Sequence, residues 1–234
     1  MLVLSTQKVR CLSLGVSVPN DIFPGFQTGD FAVLYGDNVS LISSLLCVRS
    51  QMPPEKGGLA SPVVFVDGGN SFNPYLVAEI ARGYGLDSRA VLERIYVSRA
   101  FTAYQLSSLI IEKLNSFLNS KRAKVLIVSH ISSLFFDRDI PKTEAKDLFT
   151  KACSKLSEIA TNKKTIVLAS YQPERRSRRG LFFEAVLFGK SNILIKFKRS
   201  GKVSSFVLED HPNVKPFSID FPTDYTTLTE FMEV

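Results

Sequence analysis

Histidine and cysteine are scarce in this chain: two histidines and three cysteines among 234 residues. None falls at the spacing of metal ligands, so no metal site is expected. The cysteines, Cys11, Cys47 and Cys153, are odd in number and far apart, which speaks against a disulfide framework and fits a reducing, cytoplasmic compartment. No apolar run reaches the roughly 18 residues that a transmembrane helix needs. The segment from Met1 to Gly15 is broken by Gln7, Lys8 and Arg10 and ends in no small-residue cleavage pattern, so it does not read as a signal peptide. Gly-x-Ser-x-Gly and His-Glu-x-x-His sequences are missing, and Ser132-Ser133 and the scattered cysteines offer no nucleophile–base pair. His130 therefore reads as a structural histidine, and His211, between Asp210 and Pro212, as a turn residue. Internal repeats and low-complexity tracts are also absent.

What the chain does have is an alternation of strand and helix signals. At 45% apolar and 22% charged residues, it can bury a sizeable core as one α/β domain over 1–234. Short apolar runs with β-branched or aromatic residues predict strands at 31–35, 63–67, 94–98, 124–129 and 165–170. Helices are predicted at about 40–50, from Pro74 with Asn73 as N-cap, at 102–119 and at 143–161, from apolar positions at helical spacing. Toward the end the pattern changes. The runs 181–188, 192–198 and 203–208 read as consecutive antiparallel strands, joined at Gly189-Lys190-Ser191 and at Ser200-Gly201-Lys202.

One octet stands out. Gly36-Asp37-Asn38-Val39-Ser40-Leu41-Ile42-Ser43 lies between an apolar strand and an apolar helix, where a phosphate-binding loop would sit. Such a loop wraps phosphates with backbone N–H groups, freed by glycines, and reaches the outer oxygens with a lysine. Here the lysine position holds Ile42, and the inner glycine positions hold Val39 and Leu41. A β-branched residue does not readily take the positive φ such a loop uses.

The flanks carry a resemblance. Gly25-Phe26-Gln27-Thr28-Gly29, Gln51 to Leu59, Val64-Phe65-Val66-Asp67, Asn70-Ser71-Phe72-Asn73-Pro74, Arg94 to Phe101 and Val125-Leu126-Ile127-Val128 are similar to the ATPase core of archaeal and eukaryotic RecA/RadA-type recombinases. The blocks run in the family's order from about Asp21 to Phe221. The chain resembles a RadA paralogue reduced to that core, without the family's N-terminal helical domain and filament-building linker, and a monomer or small oligomer is expected. The resemblance implies a RecA-like α/β core: a mostly parallel central sheet flanked by helices, finished by C-terminal antiparallel strands.

It also implies where ATP chemistry would stand. Ser43 occupies the position of the metal-binding hydroxyl. Ser129 stands where the family has its metal-positioning aspartate, and Gly69 where it has its water-activating glutamate. With Ile42 in place of the lysine, the expectation is a pseudo-ATPase, not an enzyme, with no cofactor. Gln172 matches the family's γ-phosphate-sensing glutamine, a role that needs a nucleotide; the plainer reading is a polar residue at a strand end.

The charge is localised. Between Glu174 and Lys202 nine basic side chains face two acidic ones, and that excess equals the whole net charge of +7. Such concentration predicts a polyanion-binding surface. Its core is Glu174-Arg175-Arg176-Ser177-Arg178-Arg179-Gly180, at the position of the family's mobile DNA-binding loop. Arg175, Arg176, Arg178 and Arg179, with Lys190, are the candidate DNA contacts, because guanidinium forks match phosphate oxygens. Phe182 and Phe183 are candidates either for base stacking or for the core. The segment from Phe135 to Lys142, at the place of the family's other DNA loop, is acidic as often as basic and promises little. Two Phe-x-x-Ala matches, at Phe149 and Phe182, are near chance frequency.

These readings converge on a non-catalytic RadA-like protein that binds DNA, single-stranded or duplex, and assists homologous recombination by acting on a RadA-type recombinase. Two alternatives stay open on sequence: a recombinase-docking protein without DNA binding, and a regulator that retains ATP without hydrolysing it.

Overall fold

Strands that read as unbroken apolar runs belong in the middle of a parallel sheet, where helices cover both faces. In the computed structural model, which describes residues 11–15, 22–163, 165–173, 177–201 and 203–222, β1 (Phe31–Gly36), β2 (Val63–Asp67), β4 (Val125–Ser129) and β5 (Ile166–Tyr171) are of this kind and almost wholly buried. With β3 (Ile95–Arg99), β6 (Ile193–Ser200), β7 (Val203–Asp210) and β8 (Phe217–Pro222) they form one sheet in the order β3-β2-β4-β5-β1-β6-β7-β8. Every pairing from β3 to β6 is parallel, and β6-β7-β8 is antiparallel. The RecA-like α/β architecture expected from the sequence is the one present.

The pleat sends alternate residues into two cores. Ala32, Leu34, Phe65 and Leu168 pack under α1 (Val39–Arg49) and α2 (Pro74–Gly83), with α3 (Ser88–Glu93) following. Phe31, Val33, Val64, Val66 and Leu126 face α4 (Ala103–Ser108), α5 (Leu114–Lys121), α6 (Lys142–Lys163) and α7 (Arg178–Lys190). Asn73 caps α2 as its sequence suggests, accepting from the backbone N–H groups of Tyr75 at 3.0 Å and Leu76 at 3.2 Å, with Pro74 in the first turn. The run 102–119 is not one uniform helix. A π-helical turn at Leu109–Lys113 joins α4 to α5.

One predicted element is corrected. The segment 181–188 is not a strand but the middle of α7. The apolar run Leu181 to Phe188 gives no clean period-2 signal, and the cap decides: Ser177 Oγ accepts from Gly180 N–H at 2.9 Å, opening the helix. Phe183 and Leu187, one helical turn apart, are fully buried. Gly189-Lys190-Ser191 is accordingly the end of a helix rather than a hairpin turn, with Ser191 N–H bonded to Leu187 O at 3.1 Å. The crossover is also topologically required, because β6 runs parallel to β1 and a tight hairpin joins only antiparallel neighbours. The second predicted hairpin is present, with Ser200 opposite Val203 and Gly201 at φ 58°. β8, which the sequence reading did not include, completes it.

Helix and strand make opposite demands here. In a strand Leu181 and Phe183 would share a face; in α7 Leu181 is 62% exposed and Phe183 is buried. Phe183→Ala should therefore cost about 3–5 kcal/mol and Leu181→Ala less than about 0.5 kcal/mol, measured by urea denaturation. Equal costs would contradict the helix.

Candidate functional site at the carboxyl edge of the sheet

The turn after β1 is set by a close approach. Gly36 sits at φ 97°, and a Cβ there would lie 2.1 Å from the carbonyl oxygen of Phe197 on β6. Asp37 N–H bonds that same oxygen at 2.9 Å, and Asp37 Oδ2 accepts from Arg199 N–H at 2.8 Å. Asn38 takes the left-handed conformation, φ 58°, and α1 begins at once with Val39. The helix thus takes up Val39 to Ser43, leaving only Asp37 and Asn38 as a turn where a phosphate loop would need most of the octet. Ile42 is 2% exposed and packed in the core, its N–H bonded to Asn38 O at 3.1 Å. Ser43 is equally buried and donates its hydroxyl to Val39 O at 2.8 Å, so it closes on its own helix. An open cavity of about 650 Å³ lies in front of this turn, with Gln172 and Arg199 on its wall.

Across the edge, a buried carboxylate organises the ends of β2 and β4. Asp67 is 0% exposed and accepts from the backbone N–H groups of Ser71 at 2.9 Å, Phe72 at 3.1 Å and Gly69 at 3.3 Å. Arg99, at the end of β3, reaches it at 3.2 Å. Burial alone would raise the carboxyl's pKa; the three backbone donors and the Arg99 charge outweigh it and hold the group below its ordinary value. Ser71 Oγ lies 3.3 Å from Asp67 Oδ1 and is hydrogen-bonded to Ser129 Oγ, which in turn meets His130 Nδ1 at 2.9 Å.

His130 adopts φ 49°, a left-handed geometry uncommon for residues other than glycine. Ser170 Oγ, on β5, accepts its backbone N–H at 2.8 Å. The turn so formed drives the imidazole against Gly69: a Cβ at that position would lie 2.6 Å from His130 Cγ. Burial pushes the His130 pKa down, against the opposing pull of the Asp67 charge and a hydrogen bond with the Gln172 side chain. Gly69, Ser129 and Gln172, named from sequence, are therefore drawn together around a histidine whose part in the cluster the sequence did not disclose. The 61-residue separation of Gly69 from His130 leaves no local signal of their contact.

The cations divide differently from their order in the chain. Arg178 and Arg179 lie in the first turn of α7, not in a loop; Arg175 and Arg176 fall outside the described residues. Arg178 is exposed. Arg179 is half-buried, stacked over the Phe183 ring at 5.9 Å and donating from Nη1 to Asp137 O at 3.4 Å. Lys190 closes the same helix at its far end, about 18 Å along the axis, and is not brought together with the arginines. Lys198 and Arg199 were not singled out from the sequence. They are exposed at the carboxyl end of β6, the edge where α7 begins. The signal that could have found them is the parallel direction of β6, hidden by the hairpin reading. Phe183 belongs to the core; Phe182 is half-buried, with Lys146 Nζ 4.7 Å from its ring centre. Phe149 and Ala152 of the first Phe-x-x-Ala match are both fully buried.

An open parallel sheet with helices on both faces, and a strand-turn-helix at the carboxyl edge of its central strand, defines a RecA-like ATPase-fold core. The family model described as Rad51 matches residues 7–172, and the chain belongs to that family, whose work lies in recombination and repair. Among the described residues there is no cluster of three or more metal-binding side chains and no helix long and apolar enough to cross a membrane.

The depressed Asp67 pKa carries a stability consequence. Its folded-state value lies below the unfolded one, so the stabilisation is complete above the unfolded pKa of about 4 and is lost as pH falls through the lower folded value. Asp67→Asn should cost about 1.5–3 kcal/mol at neutral pH, the range for hydrogen bonds to a charged group, and should flatten that part of the acid limb. Urea midpoints between pH 2 and 7 measure both effects. An unchanged acid limb in the variant would show that Asp67 is not its source.

Proposed function

We propose that this chain is a non-hydrolysing member of the Rad51 family that binds DNA and modulates homologous recombination by acting on a RadA-type recombinase. The observation that carries the reading is the placement of exposed cations on one edge. Arg178, Lys198 and Arg199 are exposed at the carboxyl edge of the sheet, and the segment bearing Arg175 and Arg176 leads into the same helix. The first turn of α7 contains two arginines and no acidic side chain. Cations at a helix N-terminus oppose the macrodipole, and neighbouring guanidinium groups repel one another; a phosphate backbone offsets both penalties. Such contacts read charge rather than base sequence.

The absence of hydrolysis is supported by the same edge. Helix α1 occupies the residues that would wrap a phosphate, Ile42 is in the core, and Gly69 is closed to any side chain by His130. A route to a protein partner is offered at the lateral end of the sheet. There β3 is an edge strand, with Val97, Phe101 and Tyr104 exposed, the last two on the wall of an open groove.

If the arginines contact phosphates, replacing Arg175, Arg176, Arg178 and Arg179 together by alanine should weaken binding uniformly across sequences. Each lost contact should lower the salt slope by about 0.9 on duplex and about 0.7 on single strands. Fluorescence anisotropy on single-stranded, duplex and forked oligonucleotides over a salt series checks this. A parent that fails to bind even at low salt would rule DNA out and leave the recombinase-docking reading. Calorimetry with Mg²⁺ and ATP should give no heat of binding and a phosphate-release assay no turnover; micromolar affinity would instead favour a nucleotide-retaining regulator.

A further inference from the structure

Three contacts at the carboxyl edge share too few protons to be arranged freely. Asp67 Oδ1, Ser71 Oγ, Ser129 Oγ and His130 Nδ1 follow one another as hydrogen-bonded neighbours. Each hydroxyl supplies one proton, and an ionised carboxylate only accepts. If Ser71 donates to Asp67, it must accept from Ser129; Ser129 must then accept from His130, whose Nδ1 carries the proton. In the reverse order Ser71 donates to Ser129 and Ser129 to His130. Two oxygens, Ser71 Oγ and Asp67 Oδ1, are then left facing each other without a hydrogen. The first order makes three hydrogen bonds and the second two. Asp67 is 0% exposed, so the carboxylate has no water to take the place of the missing hydroxyl proton, and an unmade bond to a buried charge is costly.

We propose that the buried Asp67 carboxylate, relayed through Ser71 and Ser129, locks His130 in the tautomer protonated at Nδ1. Its Nε2 is then the bare, accepting nitrogen of the ring. His130 is a positioning residue in this scheme. Its backbone N–H is fixed to Ser170 Oγ and the next N–H, of Ile131, to Ser170 O at 3.1 Å, so the turn moves with the end of β5. Gly69 gives the ring its room. The Gln172 side chain, two residues beyond Ser170, is hydrogen-bonded with His130 as well. The relay thereby braces the end of β5, the strand that precedes α7 with Arg178 and Arg179 in its first turn. Relay and tautomer stand on geometry alone; the consequence for DNA rests on the function proposed above.

The tautomer is read directly by long-range ¹H–¹⁵N correlation spectra at about pH 7.5, well above the ordinary imidazole range. His130 is told from His211 by the His130→Asn variant. The expected result is a protonated Nδ1 and a bare Nε2 on His130, with Ser129→Ala releasing the ring to the ordinary Nε2-protonated mixture. A parent already in the Nε2-protonated form, or a tautomer indifferent to Ser129→Ala, overturns the lock. In the binding assay His130→Ala should weaken oligonucleotide affinity about 3- to 10-fold, the effect of one lost hydrogen bond, with the salt slope unchanged because no phosphate contact is removed. His130→Asn should restore most of it, since asparagine tolerates the left-handed backbone and offers both a donor and an acceptor. If the parent binds DNA and His130→Ala binds equally well, or the asparagine variant is as weak as alanine, the positioning role is wrong. If the parent binds no DNA, the function proposed above fails on its own, and the spectra still decide the relay.

Discussion

Strand β1 is hydrogen-bonded to a parallel neighbour on each side, β5 and β6, and covered by helices on both faces. A strand enclosed in this way can shed no backbone polar group to water, so its register and direction constrain everything joined to it. Both partners must arrive by crossovers, which is why α6 precedes β5 and α7 precedes β6. Its exit is fixed as well. The carbonyl of Phe197 presses so close to Gly36 that the chain can only turn sharply there, and α1 follows within two residues. The compact turn at the candidate site is thus a result of sheet packing as much as of the local sequence.

The carboxyl edge holds polar groups in two different conditions. Around Asp67 the charge is buried, bonded by backbone and side-chain donors and paired with Arg99. Buried polar networks of this kind add rigidity and geometric definition when every member is satisfied. At the start of α7 and the end of β6, by contrast, cations stand exposed with no acidic side chain in the helix's first turn. A satisfied brace thus stands beside an exposed basic surface. Arg179 spans the two, its guanidinium lying over Phe183 and bonded to the backbone of Asp137.

Most of the parallel core was legible because burial on two faces imposes a simple code. Runs such as Phe31 to Tyr35 and Val125 to Val128 are apolar at every position, and few structures other than a central strand explain that at such short length. Asn73-Pro74 was legible because capping is a local interaction. The stretch from Leu181 to Phe188 was not, since a short apolar run without clear periodicity suits a strand or a buried helix equally. Ser177 and Gly180, which open α7, sit inside a run of arginines where charge draws attention away from caps.

The amino-acid sequence by itself determined the fold class, the octet without its lysine and inner glycines, and the gathering of net charge in one stretch of chain. Each of these is a matter of composition or local order. The tertiary structure decided the rest. It set α1 to begin at Val39, Lys190 to stand a helix-length from Arg178, and Lys198 and Arg199 to share an edge with α7. It also brought His130 over Gly69 to link Asp67 with Gln172. These are contacts between residues far apart in the chain. They arise from strand direction and from the exclusion of one side chain by another, which no short window of sequence encodes.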